Sequence, residues 1–269
     1  MSLISVRDLT ITFGDKIAVD HVSFDLFQEK LGIVGESGSG KTLLARALMG
    51  LLPVGAHLQA EKLTYQDTNL LTLSPKAYQR LRGRHLTFIL QDPKYALNPN
   101  MTVGSQIQEM FTFHLQMPPK EAKEKTLEAL NRVLIPRVAE TYALYPHEVS
   151  GGMGQRVMIA MMLAVNPKVL IADEPTSSLD PENRRQFLDL VHGLIDEHKM
   201  AMILISHDLP LVQQFCDRIL VLYQGRLVET IRAQDLEQST HPYTQGLLHC
   251  IPRIDHPQRR LATLDRSLL

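Results

Sequence analysis

Only two cysteines, Cys216 and Cys250, occur among 269 residues, and tryptophan is missing altogether. Two lone thiols give neither a disulfide framework nor a zinc-ligand spacing, so reduced structural residues are expected. An excess of one charge is also missing. Lys plus Arg total 28 against 29 for Asp plus Glu, a balance without the global field that draws nucleic acid or an anionic membrane to a protein. No apolar run approaches the roughly 20 residues that cross a bilayer. The start, Met1-Ser2-Leu3-Ile4-Ser5-Val6-Arg7-Asp8, lacks the charged and apolar regions of a secretion signal. A protein that stays in the cytoplasm is expected, with any membrane role borrowed from a partner. Apolar residues are plentiful instead: 44% hydrophobic content at this length supports one large α/β domain or two small ones.

The stretch that organises the rest is Gly35-Glu36-Ser37-Gly38-Ser39-Gly40-Lys41-Thr42, which fits the pattern Gly, four residues, Gly-Lys-Ser/Thr without a mismatch. Glycines let successive N–H groups turn inward around an anion where a Cβ would obstruct them. Lys41 adds positive charge for the outer phosphates, and Thr42 offers a hydroxyl to Mg²⁺. The flanks agree with this. Leu31-Gly32-Ile33-Val34 reads as a buried strand, and Leu43, Leu44, Ala47 and Leu48 share a helical stripe. The loop therefore joins a strand to a helix N-terminus, where the macrodipole and orphan N–H groups favour phosphate. Nucleotide binding is preferred to a Gly/Ser-rich surface turn.

Residues 3 to 27 read as β-structure, with alternation in Val22-Ser23-Phe24-Asp25-Leu26 and a turn at Gly14-Asp15-Lys16. Phe13 ends a strand where its face could stack on a base, though periodicity alone favours an ordinary core residue. A further hairpin is expected over 58 to 70. A helix then starts at Ser74-Pro75 and stops at Gly83. His85 to Leu90 reads as a strand that delivers Gln91, a polar residue at the strand end where open α/β sheets meet ligands. From about 103 to 165 helical patterns follow one another, which points to an inserted helical subdomain. Lys120 to Leu134 is amphipathic, with Leu127, Leu130, Val133 and Leu134 expected inward. Ser150 is an N-cap before the apolar helix Val157 to Ala164, and the glycines of Ser150-Gly151-Gly152-Met153-Gly154-Gln155 expose N–H groups at its start. A second anion site and a close helix contact fit that spacing equally.

The buried-type strand Val169-Leu170-Ile171-Ala172 ends in Asp173-Glu174. Two carboxylates at the tip of an apolar strand are costly unless they meet a cation or act on protons. Asp173 is expected to reach Mg²⁺ through water and Glu174 to orient and activate the attacking water. Asp180-Pro181 caps a helix whose Phe187, Leu190, Val191, Leu194 and Ile195 are core. A last apolar strand, Ala201 to Ile205, ends in Ser206-His207-Asp208, and His207 is expected at the terminal phosphate.

These residues together resemble the nucleotide-binding subunit of an ABC transporter. Walker A is Gly35 to Thr42, the Q-loop Gln91, the signature Ser150 to Gln155, and Walker B Val169 to Asp173 followed by Glu174. Ser178-Leu179-Asp180 matches the D-loop, His207 the switch histidine and Phe13 the adenine-stacking aromatic. The resemblance covers residues 3 to about 250. Gln91-Asp92-Pro93, Leu97-Asn98-Pro99, Met153, Ala172-Asp173-Glu174-Pro175-Thr176 and His241-Pro242-Tyr243-Thr244 look like the oligopeptide, dipeptide and nickel importer branch. Val149 stands where the signature normally has Leu, and Ser177-Ser178 replaces the more usual Thr-Ala. Neither change removes a catalytic group.

The resemblance implies an α/β phosphate-loop (RecA-like) core with an antiparallel β-subdomain and an α-helical subdomain at about 103 to 165, all within residues 1 to 250. A short tail over 251 to 269 would follow. ATP and Mg²⁺ are the implied cofactors. Glu174, His207 and Gln91 would be catalytic, and Thr42, Gln91 and Asp173 would hold the metal. Gly35, Glu36, Ser37, Gly38, Ser39, Gly40, Lys41, Thr42 and Phe13 would bind ATP. Ser150, Gly151, Gly152, Met153, Gly154 and Gln155 would act on a partner's ATP site, with Asp180 in the D-loop. The implied partners are a second, unlike ATPase subunit, two transmembrane permease subunits and a solute-binding protein, at the cytoplasmic face of the membrane. Because the tail stops short of the cysteine cluster seen in many peptide-transporting members, nickel or metal-chelate uptake is preferred to peptide uptake. An ABC ATPase acting on nucleic acid is the rival from another class. A single cassette, the absence of zinc spacing and the absence of a basic excess weigh against it.

Overall fold

The computed structural model describes residues 1–89, 96–177 and 179–251. In chain order, β1 (Ile4–Phe13), β2 (Lys16–Leu26) and β3 (Lys30–Val34) precede α1 (Lys41–Leu48). β4 (Ala56–Gln59), β5 (Lys62–Tyr65) and β6 (Thr68–Asn69) follow, then α2 (Pro75–Leu81) and β7 (Leu86–Ile89). Four helices come next: α3 (Val103–Leu115), α4 (Pro119–Arg132), α5 (Val138–Ala143) and α6 (Gly151–Leu163). The chain continues through β8 (Val169–Asp173), α7 (Pro181–His198), β9 (Ala201–Ile205), α8 (Leu209–Phe215), β10 (Arg218–Tyr223), β11 (Arg226–Arg232) and α9 (Pro242–His249). It divides into two compact units, one of Met1–Thr72 with the chain from Ile203 onward, the other Leu73–Met202.

The first unit holds an antiparallel sheet in the order β2-β1-β5-β6, with β4 also paired to β1. β1 and β2 form a hairpin from Ile4↔Leu26 to Phe13↔Lys16. Gly14, at φ 55°, begins its two-residue turn. In the same unit β3 runs parallel to β10, Leu31 to Val34 facing Arg218 to Val221, and β10 is antiparallel to β11. Leu31, Ile33, Val34, Leu44, Leu48, Ile219, Leu220 and Val221 all lie at 0% exposure. An apolar run such as Leu31 to Val34 in β3 is what burial on both faces requires.

The second unit pairs β7 with β8 in parallel, Leu86 facing Val169 and Ile89 facing Ala172. α3 packs on α4, α5 and α6, and α4 packs on α6. Polar caps start three of its helices: Ser74 Oγ accepts the Ala77 N–H, Thr102 Oγ1 that of Ser105 and Ser150 Oγ that of Met153. One inward assignment is corrected. Leu130 and Val133 are buried, but Leu134 is 66% exposed. α4 has ended at Arg132, and Leu134 enters the left-handed region at φ 58°, so Ile135 takes the core position instead. Helical periodicity carries no information beyond the last helical residue.

Cys216 is buried at the end of α8, and burial, with Asp217 beside it, pushes its thiol up. Beneath it Gly32 allows close packing: a Cβ there would stand 2.1 Å from Val212 Cγ1 and 3.3 Å from Cys216 Sγ. Gly32→Ala should therefore cost about 1–3 kcal/mol through overpacking, read as a lower urea midpoint. Cys216 should resist thiol labelling in the wild type and become reactive in the variant.

Candidate functional site

The first unit carries the loop Gly35 to Thr42. β3 hands the backbone to Gly35, whose φ of 152° and position against β10 leave no room for a side chain. A Cβ would lie 2.1 Å from Leu222 O and 2.8 Å from Ser39 Oγ. At the far end Gly40, at φ 97°, is the N-cap of α1 and contributes no side-chain cap, leaving the helix start to other partners. A Cβ there would meet Ala18 O at 2.9 Å and Val19 Cγ2 at 3.0 Å. The loop is thus clamped between the β1–β2 hairpin and the β10–β11 pair.

Lys41 is 5% exposed. An ammonium so buried is costly unless hydrogen-bonded. Its Nζ donates to Gly35 O and Glu36 O, both at 2.8 Å, and to Ser39 Oγ at 3.4 Å. Ser39 N–H closes the loop onto Glu36 O at 3.1 Å. Thr42, in the first turn of α1, is half-buried, while Ser37 and Gly38 are exposed at the loop tip. The Glu36 N–H donates to the hydroxyl of Tyr243 at 3.0 Å. Phe13 is half-buried at the end of β1, paired with Lys16 and Ala56. His207 is exposed just beyond β9, and Ser206 N–H donates to Ile33 O at 3.2 Å. The strand end bearing the histidine therefore lies beside the strand that feeds the loop. Asp208 turns the chain into α8 by accepting the Leu211 N–H at 3.1 Å.

In the second unit Val169 to Ala172 are at most 1% exposed, and Asp173 and Glu174 emerge half-buried at the end of β8. The two neighbours sit on unlike backbone. Asp173 is extended in the strand, whereas Glu174 is left-handed at φ 46°, a region costing a non-glycine residue about 1–3 kcal/mol and concentrated at functional sites. Ser177 N–H donates to Glu174 O at 3.2 Å and shapes the turn. Thr42 and Asp173, each described within its own unit, offer the hard oxygen donors that suit Mg²⁺.

Ser150, Gly151 and Gly152 are exposed at the start of α6, followed by half-buried Met153 and buried Gly154 and Gln155. A Cβ added at Gly151, Gly152 or Gly154 would meet nothing within 4 Å. Close packing inside this chain, one of the two meanings open for these glycines, is therefore not their reason. Asp180 is exposed ahead of α7, its Oδ1 accepting the Glu182 N–H at 3.2 Å. Gln91, with Asp92 and Pro93, and Ser178 lie outside the described residues, as does the tail beyond Ile251. Sequence reasoning missed Tyr243 as a neighbour of the loop; no local signal joins positions 207 residues apart.

A family model described as ABC transporter matches residues 19–177, and one described as oligopeptide/dipeptide transporter, C-terminal region, matches 228–268. The chain is 45% identical over 271 residues to the dipeptide transport ATP-binding protein DppD of Haemophilus influenzae, covering 98% of this chain and 82% of the relative. It is 43% identical over 269 residues to the oligopeptide transport ATP-binding protein OppD of Escherichia coli, covering 98% and 80%. Among solved structures, cbiO1 from Clostridium perfringens, part of the transporter complex cbiONQ, aligns at TM-score 0.75 and 24% identity over 88% of this chain and 91% of its own. The ATP-binding cassette MJ0796 in a dimeric post-hydrolysis state with ADP and Pi aligns at 0.73 and 23% over 86% and 99%. At that identity these likenesses show the fold, which is that of ABC ATPase cassettes.

The two sets of glycines should separate on mutation. Gly35→Ala, with no room for its Cβ, should lower the melting temperature and weaken nucleotide binding. Gly152→Ala should leave the melting temperature unchanged or raise it, since alanine gains up to about 1 kcal/mol over glycine in a helix. Thermal melts of both purified variants check the contrast.

Proposed function

This chain belongs to the ABC transporter family, and on that premise we propose that it is one of two unlike ATPase subunits driving a peptide importer. It binds and hydrolyses ATP to power import. The peptide reading is carried by one observation: relatives named for dipeptide and oligopeptide transport match nearly the whole chain, and residues 228–268 match the C-terminal region of that transporter class. Uptake of nickel or a metal chelate draws no support from those relatives. Among the described residues no helix is long and apolar enough to cross a membrane. In this reading the subunit works at the cytoplasmic face, under two permease subunits fed by a solute-binding protein.

In this reading the loop Gly35 to Thr42, with the Lys41 ammonium, holds the ATP phosphates, and Phe13 stacks on the base. Thr42, Asp173 and Gln91 would hold Mg²⁺, which would supply charge neutralisation on the phosphates. Glu174 accepts a proton from the attacking water, and His207 donates a hydrogen bond to the terminal phosphate. The open α6 start, Ser150 to Gln155, is kept free of side-chain bulk for the phosphates bound by the other ATPase subunit, and Asp180 lies at the contact between subunits. Support comes from the unfilled space around Gly151 and Gly152 and from the left-handed Glu174.

Glu174→Gln should bind ATP with near wild-type affinity while hydrolysis falls roughly 10²- to 10⁴-fold, the range for loss of a general base. Single-turnover assays with the partner's site disabled check this, and near wild-type hydrolysis would remove Glu174 from that role. The cargo is tested on the cognate solute-binding protein by mass spectrometry after mild purification. A bound peptide is expected; a metal chelate without peptide would reject the peptide reading.

A further inference from the structure

Among the described residues Tyr243 is the largest fully buried side chain, at 0% exposure, yet it carries a polar hydroxyl. Buried hydroxyls are retained where they find a partner, and this one accepts the Glu36 N–H at 3.0 Å. That N–H belongs to the same peptide unit as the Gly35 carbonyl, which accepts Lys41 Nζ at 2.8 Å. A single peptide plane is therefore gripped from both sides, by the tyrosine hydroxyl at its N–H and by the lysine ammonium at its C=O. Hydrogen bonds in such a series polarise one another.

Several contacts hold Tyr243 in place. Its ring lies against Tyr223 at the end of β10, with centroids 4.4 Å apart and planes at 42°. Its own N–H donates to His241 Nδ1 at 3.2 Å, and Pro242 occupies the first turn of α9. Thr244, fully buried, donates its hydroxyl to Glu229 on β11. Ser239 Oγ lies 2.9 and 2.7 Å from the two oxygens of that carboxylate, and Gln245 Nε2 donates to Ser239 O at 3.0 Å. Each residue of His241-Pro242-Tyr243-Thr244 thus has a separate task, and together they aim one hydroxyl at the phosphate loop.

We infer that Tyr243 is a positioning residue for ATP: through the Gly35–Glu36 peptide it sets the place of the loop and of Lys41, coupling the C-terminal segment to nucleotide affinity. The inference rests on the reading of Gly35 to Thr42 as the ATP phosphate site. A pure packing role for Tyr243 is the rival, and the two differ by one oxygen atom.

Tyr243→Phe removes that oxygen and keeps the ring. In the full chain its equilibrium affinity for ATP should weaken about three- to ten-fold, the net worth of one hydrogen bond. In the assembled transporter KM for ATP should rise by the same factor with kcat within about twofold, because the contact serves ground and transition states alike. Ile159→Val, a modest core loss in the other unit, should leave ATP affinity unchanged. ATP affinity of Tyr243→Phe within about twofold of wild type, an equal loss in Ile159→Val, or a fall in kcat without a change in KM would each overturn the inference. Should Tyr243→Phe not fold, wild-type hydrogen exchange decides: coupling is reciprocal, so saturating ATP must slow exchange over 242–249, and unchanged exchange there rejects the link. Lys41→Ala separates the two readings. It should lose roughly 10- to 100-fold in ATP affinity, and wild-type affinity in it would remove the phosphate-site premise and the inference with it.

Discussion

An ammonium group held away from water by backbone carbonyls is the constraint on which the first unit depends. Lys41 can stay 5% exposed only while Gly35 O and Glu36 O stand within 2.8 Å of it, and those carbonyls are aimed by the path of the chain leaving β3. That path runs against Leu222 O at a distance no Cβ could tolerate. The parallel register of β3 on β10, the N-cap glycine of α1 and the apolar run of β3 serve the same end, a backbone cradle that holds its cation in place.

The second unit handles its proposed chemistry differently. Its glycines at the start of α6 border open space, whereas Gly32 and Gly35 border neighbouring atoms. One residue type therefore answers two opposite demands, closeness within the chain and room for something outside it. Glu174 adds a local cost by adopting a left-handed backbone, and β8, buried from Val169 to Ala172, supplies the stable support that such strain requires. Flexible or strained termini on rigid apolar elements are the usual arrangement for groups that act on ligands.

The segment after β11 serves the loop as well as its own packing. Glu229, Ser239 and Thr244 tie α9 to β11, so displacement of the helix would break several hydrogen bonds together. Such a network transmits position more faithfully than apolar packing, because each bond has a narrow range of distance and angle.

Much was legible in the sequence because it is encoded between near neighbours. The strand-loop-helix joint at Gly35 to Thr42, the caps at Ser74 and Ser150, the buried runs of β3 and β8 and the polar residues after β8 and β9 follow from spacings of a few positions, which local backbone geometry must obey. Leu134 marks the limit of that logic: its helical spacing is sound, but α4 stops two residues before it and the left-handed turn exposes it. Likewise the pattern at Gly151 and Gly152 fitted an anion site and a close helix contact equally, and only the surrounding space speaks against close packing among the described residues. Tyr243 was invisible altogether as a partner of Glu36. The chain itself determines that a phosphate loop forms and which residues it offers. Only the tertiary path decides which distant hydroxyl grips that loop, because a contact across 207 residues depends on every intervening turn and leaves no periodic trace in the sequence.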